Sequence, residues 1–504
     1  MTLVLGDPVS SFLPIKDTIR IAPGSSLLQK INLQAIRCKN EHPHCSHHGD
    51  MMSRLPARII KVRGERETPV LHITQGAERG RYIALSYCWG GNQNTTTTIA
   101  TLQSMTDGLP FEELPRTIKD AIILTRALGF EYLWVDALCI IQDSPLDKAA
   151  DINNMGTIYK YASMTIAASR SKSVDMGFLN PVSPEYSCLL PFKMENGTSV
   201  NIYCELDYAS RPSPPLELRG WAFQEDLLSP RILYFGYDGL TWKCQSERVD
   251  LVSGKKYNFV GRTLPSQIFT DTENSELSDF DLSKIWKDVV ENFSGRAFTF
   301  AEDRLPALAG IAGEILRLLP SEHTTIAYLA GLWKPWLIMH LGWYNNYRNY
   351  RHTGAVPPNR KGSPSWSWIS VESPVAIDDV HSEPSMPLNL VDCSTNLVIS
   401  TSPFGEVCGG KLTLYGYAAA HPLSKLQWSD NCRMDLNHEA YRNVVSMVCL
   451  VLHLGQSSQK LAIGLILQPL ENGNFIRIGQ LSIEKEKKEH MWPSDLEPTV
   501  VVIE

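Results

Sequence analysis

The residues best suited to chemistry fall in three short blocks and one cysteine–histidine cluster. Glu225 stands four residues after Trp221 in Arg219-Gly220-Trp221-Ala222-Phe223-Gln224-Glu225. On a helix that spacing sets the indole and the carboxylate on one face, one turn apart. A Glu between Arg219 and Arg231 also suits a purely structural bridge. Asp136 and Asp143 belong to a second block, Trp134-Val135-Asp136-Ala137-Leu138-Cys139-Ile140-Ile141-Gln142-Asp143. Asp136 sits inside an apolar run, where an unpaired carboxylate is costly. It needs a partner, either a backbone N–H or an arginine such as Arg116 or Arg219. Gln142 and Asp143 fit ligand binding and capping equally well. Ser86, Tyr87 and Trp89 lead into Gly90-Gly91. Glycine lets backbone approach a ligand closely, but this pair is neither a G-x-G-x-x-G nor a P-loop, and a plain turn accounts for it.

Cys38, His42, His44, Cys45, His47 and His48 crowd one short segment. Cysteine and histidine at short spacing can hold zinc, but Cys-x6-Cys-x-His-His is not the spacing of a standard finger. The segment therefore reads as an exposed polar loop, and no metal is assigned. Pro364-Ser365-Trp366-Ser367-Trp368 puts both indoles on one face, which suits core packing better than ligand stacking. There is no G-x-S-x-G, and no histidine falls in the three blocks, so a serine triad has no support.

These blocks must be positioned by the elements around them. Tyr82–Tyr87 is a strand-like apolar run ending at glycine. A helix follows from about Leu114, with Thr117 as its expected N-cap and Gly129 as its stop. Tyr132–Ile140 is a nearly continuous apolar run, as in a parallel strand buried on both faces. Asp151–Ala162 reads as a helix, Met164–Ala168 as a strand, Trp221–Leu228 as a short helix and Ile232–Phe235 as a strand. This alternation predicts right-handed crossovers and a parallel sheet covered by helices. Ligands bind outside the carboxyl ends of such strands, where the first two blocks lie. Ahead of it, Ser26–Leu33 could open a helix, and Ala57–Val62 and Val70–Thr74 read as short strands. Residues 280–350 read as helical, and short alternating runs after 360 as an antiparallel β region.

Bulk composition excludes several classes. With 47 Lys and Arg against 54 Asp and Glu over 504 residues, the net charge is −7, and no basic block offers nucleic acid an electrostatic footprint. No stretch reaches the roughly 20 apolar residues of a membrane helix, and the first residues lack a signal-peptide pattern. Eleven cysteines, an odd number scattered along the chain, suit reduced thiols in cytosol. Cys88, Cys139 and Cys204 lie in apolar runs and read as small buried hydrophobes.

Taken in order, the three blocks resemble the diagnostic blocks of the heterokaryon-incompatibility (HET) domain of filamentous fungi. Met155-Gly156-Thr157-Ile158-Tyr159 and Leu227-Leu228-Ser229-Pro230-Arg231-Ile232-Leu233 match as well. Phe298-Thr299-Phe300, Asp303–Leu308, Ala330–Trp333 and Pro364–Trp368 resemble the usual companion region. Small departures occur: Ile141 stands where Asn is usual, Ser144 where a second acidic residue is usual, Ala222 where Thr is usual and Asp226 where a basic residue is usual. The resemblance implies an α/β chain: a leader region over 1–79, a parallel-sheet, flavodoxin/TIR-like HET domain over 80–240, a mainly helical companion region over 241–355 and a β-rich C-terminal region over 356–504.

It also implies a function. Some TIR domains cleave NAD when assembled, through a glutamate four residues after a tryptophan, the spacing of Trp221 and Glu225. Glycosidic cleavage of nicotinamide passes through an oxocarbenium-like state, which a carboxylate near the ribose stabilises. The resemblance makes Glu225 the catalytic residue. Ser86, Tyr87, Trp89, Asp136, Gln142, Asp143 and Trp221 become the nucleotide-binding set, with NAD as substrate rather than resident cofactor. The expected protein is a cytoplasmic effector of non-self recognition and programmed cell death. It would self-associate through its HET domain and respond to an unnamed incompatibility partner, with no nucleic acid and no membrane. Two alternatives stay open: a non-catalytic self-associating signalling module, and a small-molecule biosynthetic enzyme reusing the fold.

Overall fold

In the computed structural model, apolar patterning becomes two separate units, residues 1–272 and 273–504. The structure describes residues 2–3, 25–43, 45, 52–62, 67–179, 187–193, 197, 199–205, 212–237, 239–257, 264–269, 277–320, 328–346, 362–378, 388–422, 432–435, 446–454, 461–484 and 495–504.

The first unit is organised by the run Tyr82-Ile83-Ala84-Leu85-Ser86, every residue of which is buried. Only a central strand covered on both faces has this pattern. The elements are α1 (Ser26–Glu41), β1 (Arg58–Lys61), β2 (Val70–Ile73), β3 (Tyr82–Ser86), α2 (Arg116–Ala127), β4 (Tyr132–Trp134), the single turn α3 (Asp136–Cys139), α4 (Pro145–Tyr161), β5 (Met164–Ala167), α5 (Trp221–Leu228), β6 (Arg231–Gly236), β7 (Gly239–Cys244), β8 (Arg248–Asp250) and β9 (Lys256–Tyr257). The sheet order is β9-β8-β7-β6-β5-β3-β4-β1-β2. Its centre is parallel: β3 pairs with β4 and β5, and β5 with β6.

The expected parallel sheet therefore holds for the centre and needs correction at both flanks. β6 and β7 register from Arg231↔Cys244 to Gly236↔Gly239, so only residues 237–238 join them. Two residues can close an antiparallel hairpin but cannot make a crossover. On the other side, β1 pairs antiparallel with both β4 and β2, so strands from the leader region extend the same sheet.

Three local expectations also change. The apolar run after Tyr132 is not one strand: it leaves the sheet at Trp134, and Asp136 opens a helical turn in which Ala137 N donates to Asp136 Oδ1 at 2.7 Å. Apolar character continued through the break, so the sequence pattern did not mark it. Thr117 is not the cap of α2: Pro115 occupies that place, and Thr117 Oγ1 accepts from Gly177 N at 3.2 Å. Finally, Cys38 and Cys45 are buried rather than on an exposed loop. α1 is capped by Ser25, whose hydroxyl accepts from Leu28 N. It presents Leu27, Ile31 and Cys38 to the same apolar cluster as Ile83, Leu85 and Trp134. His44, His47 and His48, and the side chain of Cys204, lie outside the described residues.

The second unit carries α6 (Asp279–Phe293), α7 (Ala309–Leu318), β10 (Asn389–Leu397), β11 (Val407–Pro422), β12 (Cys432–Met434), β13 (Ser446–Leu454), β14 (Leu461–Pro469), β15 (Phe475–Glu484) and β16 (Pro498–Ile503). Among the described residues, the helical stretch expected over 241–355 narrows to α6, α7 and short helical turns, because residues 239–257 complete the first sheet and Tyr328–Leu329, Leu332–Trp333 and Trp343–Asn345 are short strands. The C-terminal strands run β10-β11-β13-β14-β15-β12, and β16 pairs with both β11 and β15. The path β11-β13-β14-β15-β16 thus returns to β11. Trp366 and Trp368 are fully buried, as core packing requires, though in a turn rather than a strand. Trp286 and Trp368 both donate their indole N–H to Gly331 O, at 3.0 and 2.9 Å. Among the described residues, no helix is long and apolar enough to cross a membrane.

Candidate functional site

The carboxyl ends of the parallel strands carry the first block, and α5 delivers the third to it. Glu225 is only 4% exposed. Its Oε2 accepts from Ser86 Oγ at the end of β3. Tyr159, on α4 beside α5, hydrogen-bonds the same carboxyl and donates its hydroxyl to Leu85 O at 3.0 Å. Two more groups close the cluster. Arg219 Nη1 donates to Tyr87 O, and its charge acts on Glu225 and Asp136 together. Asp136 accepts from Trp89 Nε1 at 2.8 Å and from the Tyr87 hydroxyl. Gln93 Nε2 donates to that hydroxyl at 3.0 Å.

Burial governs the acidity of this cluster. Loss of water pushes the Glu225 carboxyl up from 4.5 to about 7; Arg219 and the Ser86 hydroxyl oppose the shift, and the Asp136 charge adds to it. Asp136 is raised by the same loss of water, against Arg219, Trp89 and Tyr87. Two carboxyls sharing one arginine, one of them near neutrality, is an arrangement suited to holding or moving a proton at physiological pH.

The structure brings Ser86, Tyr87, Trp89, Asp136 and Glu225 together. Gln142 reaches the cluster only through backbone: its Nε2 donates to Asp136 O and Ile140 O, both at 3.2 Å. Asp143 is exposed and turned away, accepting from Ile99 N at 2.8 Å, so it acts as a loop cap. Trp221 is half-buried against the main apolar cluster. Of the arginines offered as partners, Arg219 serves both carboxyls. Arg231 points elsewhere, to Cys38 and Cys45. Sequence reasoning missed Tyr159, whose only signal was a hydroxyl on an otherwise apolar helix face, and Gln93, which had none.

A cavity of about 560 Å³ opens beside the cluster, lined by Asn92, Gln93, Arg116, Lys119 and Asp120 among others. Neither Glu225 nor Asp136 lines it. Gln93 is the link, one hydrogen bond from Tyr87 and two from Asp136. The loop that leads to Gln93 is irregular rather than the plain turn its glycines suggested. Gly90 has φ +76°, and a Cβ there would lie 2.6 Å from Ser173 Cα. Gly90→Ala is expected to cost about 1–3 kcal/mol through this overlap. Lower hydrogen-exchange protection of the β3 amides checks it, and unchanged protection would show that the loop yields freely.

An α/β domain with a polar cluster at the carboxyl ends of its parallel strands is the class defined by this geometry. Residues 82–225 match the model of the family described as Heterokaryon incompatibility protein (HET). The match opens at the first residue of β3 and closes on Glu225 itself. No curated protein and no solved structure gives a match.

Proposed function

We propose that this protein acts in fungal heterokaryon incompatibility as an effector whose HET domain, TIR-like in its chemistry, hydrolyses NAD at the Glu225 cluster. The observation that carries the reading is the pairing of Glu225 and Asp136 around Arg219, at the strand ends, with a carboxyl poised near pH 7. In the reaction the ribose–nicotinamide C–N bond breaks and nicotinamide leaves with the bonding electrons. Ionised Glu225 stabilises the oxocarbenium-like ribose. Water then adds to the anomeric carbon and releases one proton, giving ADP-ribose. Asp136 and Trp89, both less buried than Glu225, form the side on which substrate arrives, and the cavity beyond Gln93 accommodates the remainder of the dinucleotide.

Purified protein mixed with NAD tests this, with nicotinamide release as the readout. Glu225→Gln is expected to lower the rate by about 100-fold or more, with the far-ultraviolet circular dichroism unchanged. A Gln variant as fast as the parent overturns the mechanism. The non-catalytic module has one observation on its side: the Glu225 carboxyl is nearly solvent-free and already bonded to Ser86 and Tyr159. No nicotinamide release at high protein concentration, together with growth arrest that survives Glu225→Ala, would establish that module instead.

A further inference from the structure

Away from the Glu225 cluster, four metal-ligating side chains converge at the C-terminal end of α1. Cys38 lies on the last full turn of α1, His42 one turn later on the same face, and Cys45 in the turn that follows, where its amide donates to His42 O at 3.0 Å. Cys244 arrives from the last residue of β7, about two hundred residues on. Their Sγ and imidazole nitrogen atoms all lie within 4.8 Å of one another. Cys38, Cys45 and Cys244 are buried, and the His42 side chain is 11% exposed.

We propose that Cys38, His42, Cys45 and Cys244 bind one zinc ion in a closed Cys3His site that fastens α1 to the end of β7.

Four observations support zinc over three idle thiols and an imidazole. The donor set is complete: structural zinc takes four ligands, commonly three thiolates and one imidazole, leaving no open position. The spacing fits, because zinc–ligand bonds of about 2.0–2.3 Å in a tetrahedron put donor atoms roughly 3.3–3.8 Å apart. Cys244 Sγ and His42 Nδ1 are 3.4 Å apart. The imidazole is also oriented for ligation. His42 Nε2 faces Glu247 Oε1 at 3.4 Å, and a carboxylate on the far nitrogen fixes the tautomer that leaves Nδ1 free to coordinate. Glu247 is itself held by Gln34 Nε2 at 2.6 Å and Lys256 Nζ at 2.9 Å. Finally, the charge balances. Binding releases three thiol protons, and three thiolates with one divalent ion leave a net charge of −1. The Arg231 guanidinium supplies the opposite charge, with Nε 3.4 Å from Cys38 Sγ and Nη2 donating to Cys45 O at 2.8 Å. Thiolate and imidazole ligands in a buried site suit zinc among the available divalent ions.

The experiment uses the full chain, purified under reducing conditions and gel-filtered through chelator. Elemental analysis is expected to find about one zinc per chain, released when a mercurial titrates the thiols. Cobalt(II) exchanged into the site should give the visible bands of a tetrahedral thiolate complex. Cys244→Ser should lose both the metal and the bands. Should that variant fail to fold, the mercurial titration and cobalt spectrum of the parent protein decide the matter without it. A metal-free protein whose Cys38, Cys45 and Cys244 thiols react freely overturns the proposal. So does a mass corresponding to a disulfide between any two of them.

Discussion

Asp435→Ala is expected to lower the stability of the C-terminal unit by about 3–5 kcal/mol. Arg477, on β15, is fully buried. It donates Nε to Asp435 Oδ2 at 3.0 Å and Nη1 to Leu341 O at 2.7 Å, and its guanidinium lies 3.5 Å from the centroid of the Trp343 ring. Asp435 is 3% exposed. Removing the carboxylate strands a cation in a dry interior, and the energy lost is that of the uncompensated charge rather than of one hydrogen bond. Asp435→Asn keeps an oxygen to accept from Nε and should lose clearly less. Because the chain has two units, a single global unfolding curve does not isolate this effect. Hydrogen exchange of the amides in β14 and β15 does. Equal protection in Asp435→Ala and the parent would mean that water reaches Arg477.

The second large effect concerns pH. Glu225 titrates near 7 in the folded chain and near 4.5 when exposed. Between those values the folded state keeps a proton that the unfolded state has released. Stability from this group is therefore unaffected below about pH 4.5 and falls as pH rises through 4.5 to 7. Above that it stays lower by about 3 kcal/mol. Glu225→Gln carries no titrating proton and preserves an acceptor for Ser86. The Gln variant should match the parent near pH 4 and exceed it by about 3 kcal/mol at pH 8, read as the difference between the two proteins in hydrogen-exchange protection of the β3 amides. Taking the difference removes groups with the opposite trend, such as His340, which burial pushes down to about 4. Parallel curves across this window would mean that Glu225 is already ionised at pH 5.

Much of the site was legible in the residues because it rests on local patterns. The run Tyr82–Tyr87 read as strand-like, and four-residue spacing placed Trp221 and Glu225 on one turn. Asp136 was harder, because hydrophobicity does not change where β4 gives way to α3. Only the carboxylate's own bond to Ala137 N marks the break. The cysteine site was illegible for a different reason. Three of its ligands cluster in sequence and look incomplete, and the fourth stands 202 residues beyond His42. Only the pairing of β6 with β7 brings it back. Arg231 shows the same limit: nearby in sequence it seemed a partner for Glu225, but its strand direction turns it to the cysteines.

The mixed sheet has a consequence for where the chain can be cut. The matched segment, 82–225, holds β3, β4 and β5 but stops before β6 and starts after β1 and β2. Cut at those limits, it would expose the edges of β4 and β5, both largely apolar, as templates for strand pairing between chains. The folding unit is therefore larger than the matched segment: it lies within residues 1–272, and a fragment cut at 82 and 225 is expected to aggregate.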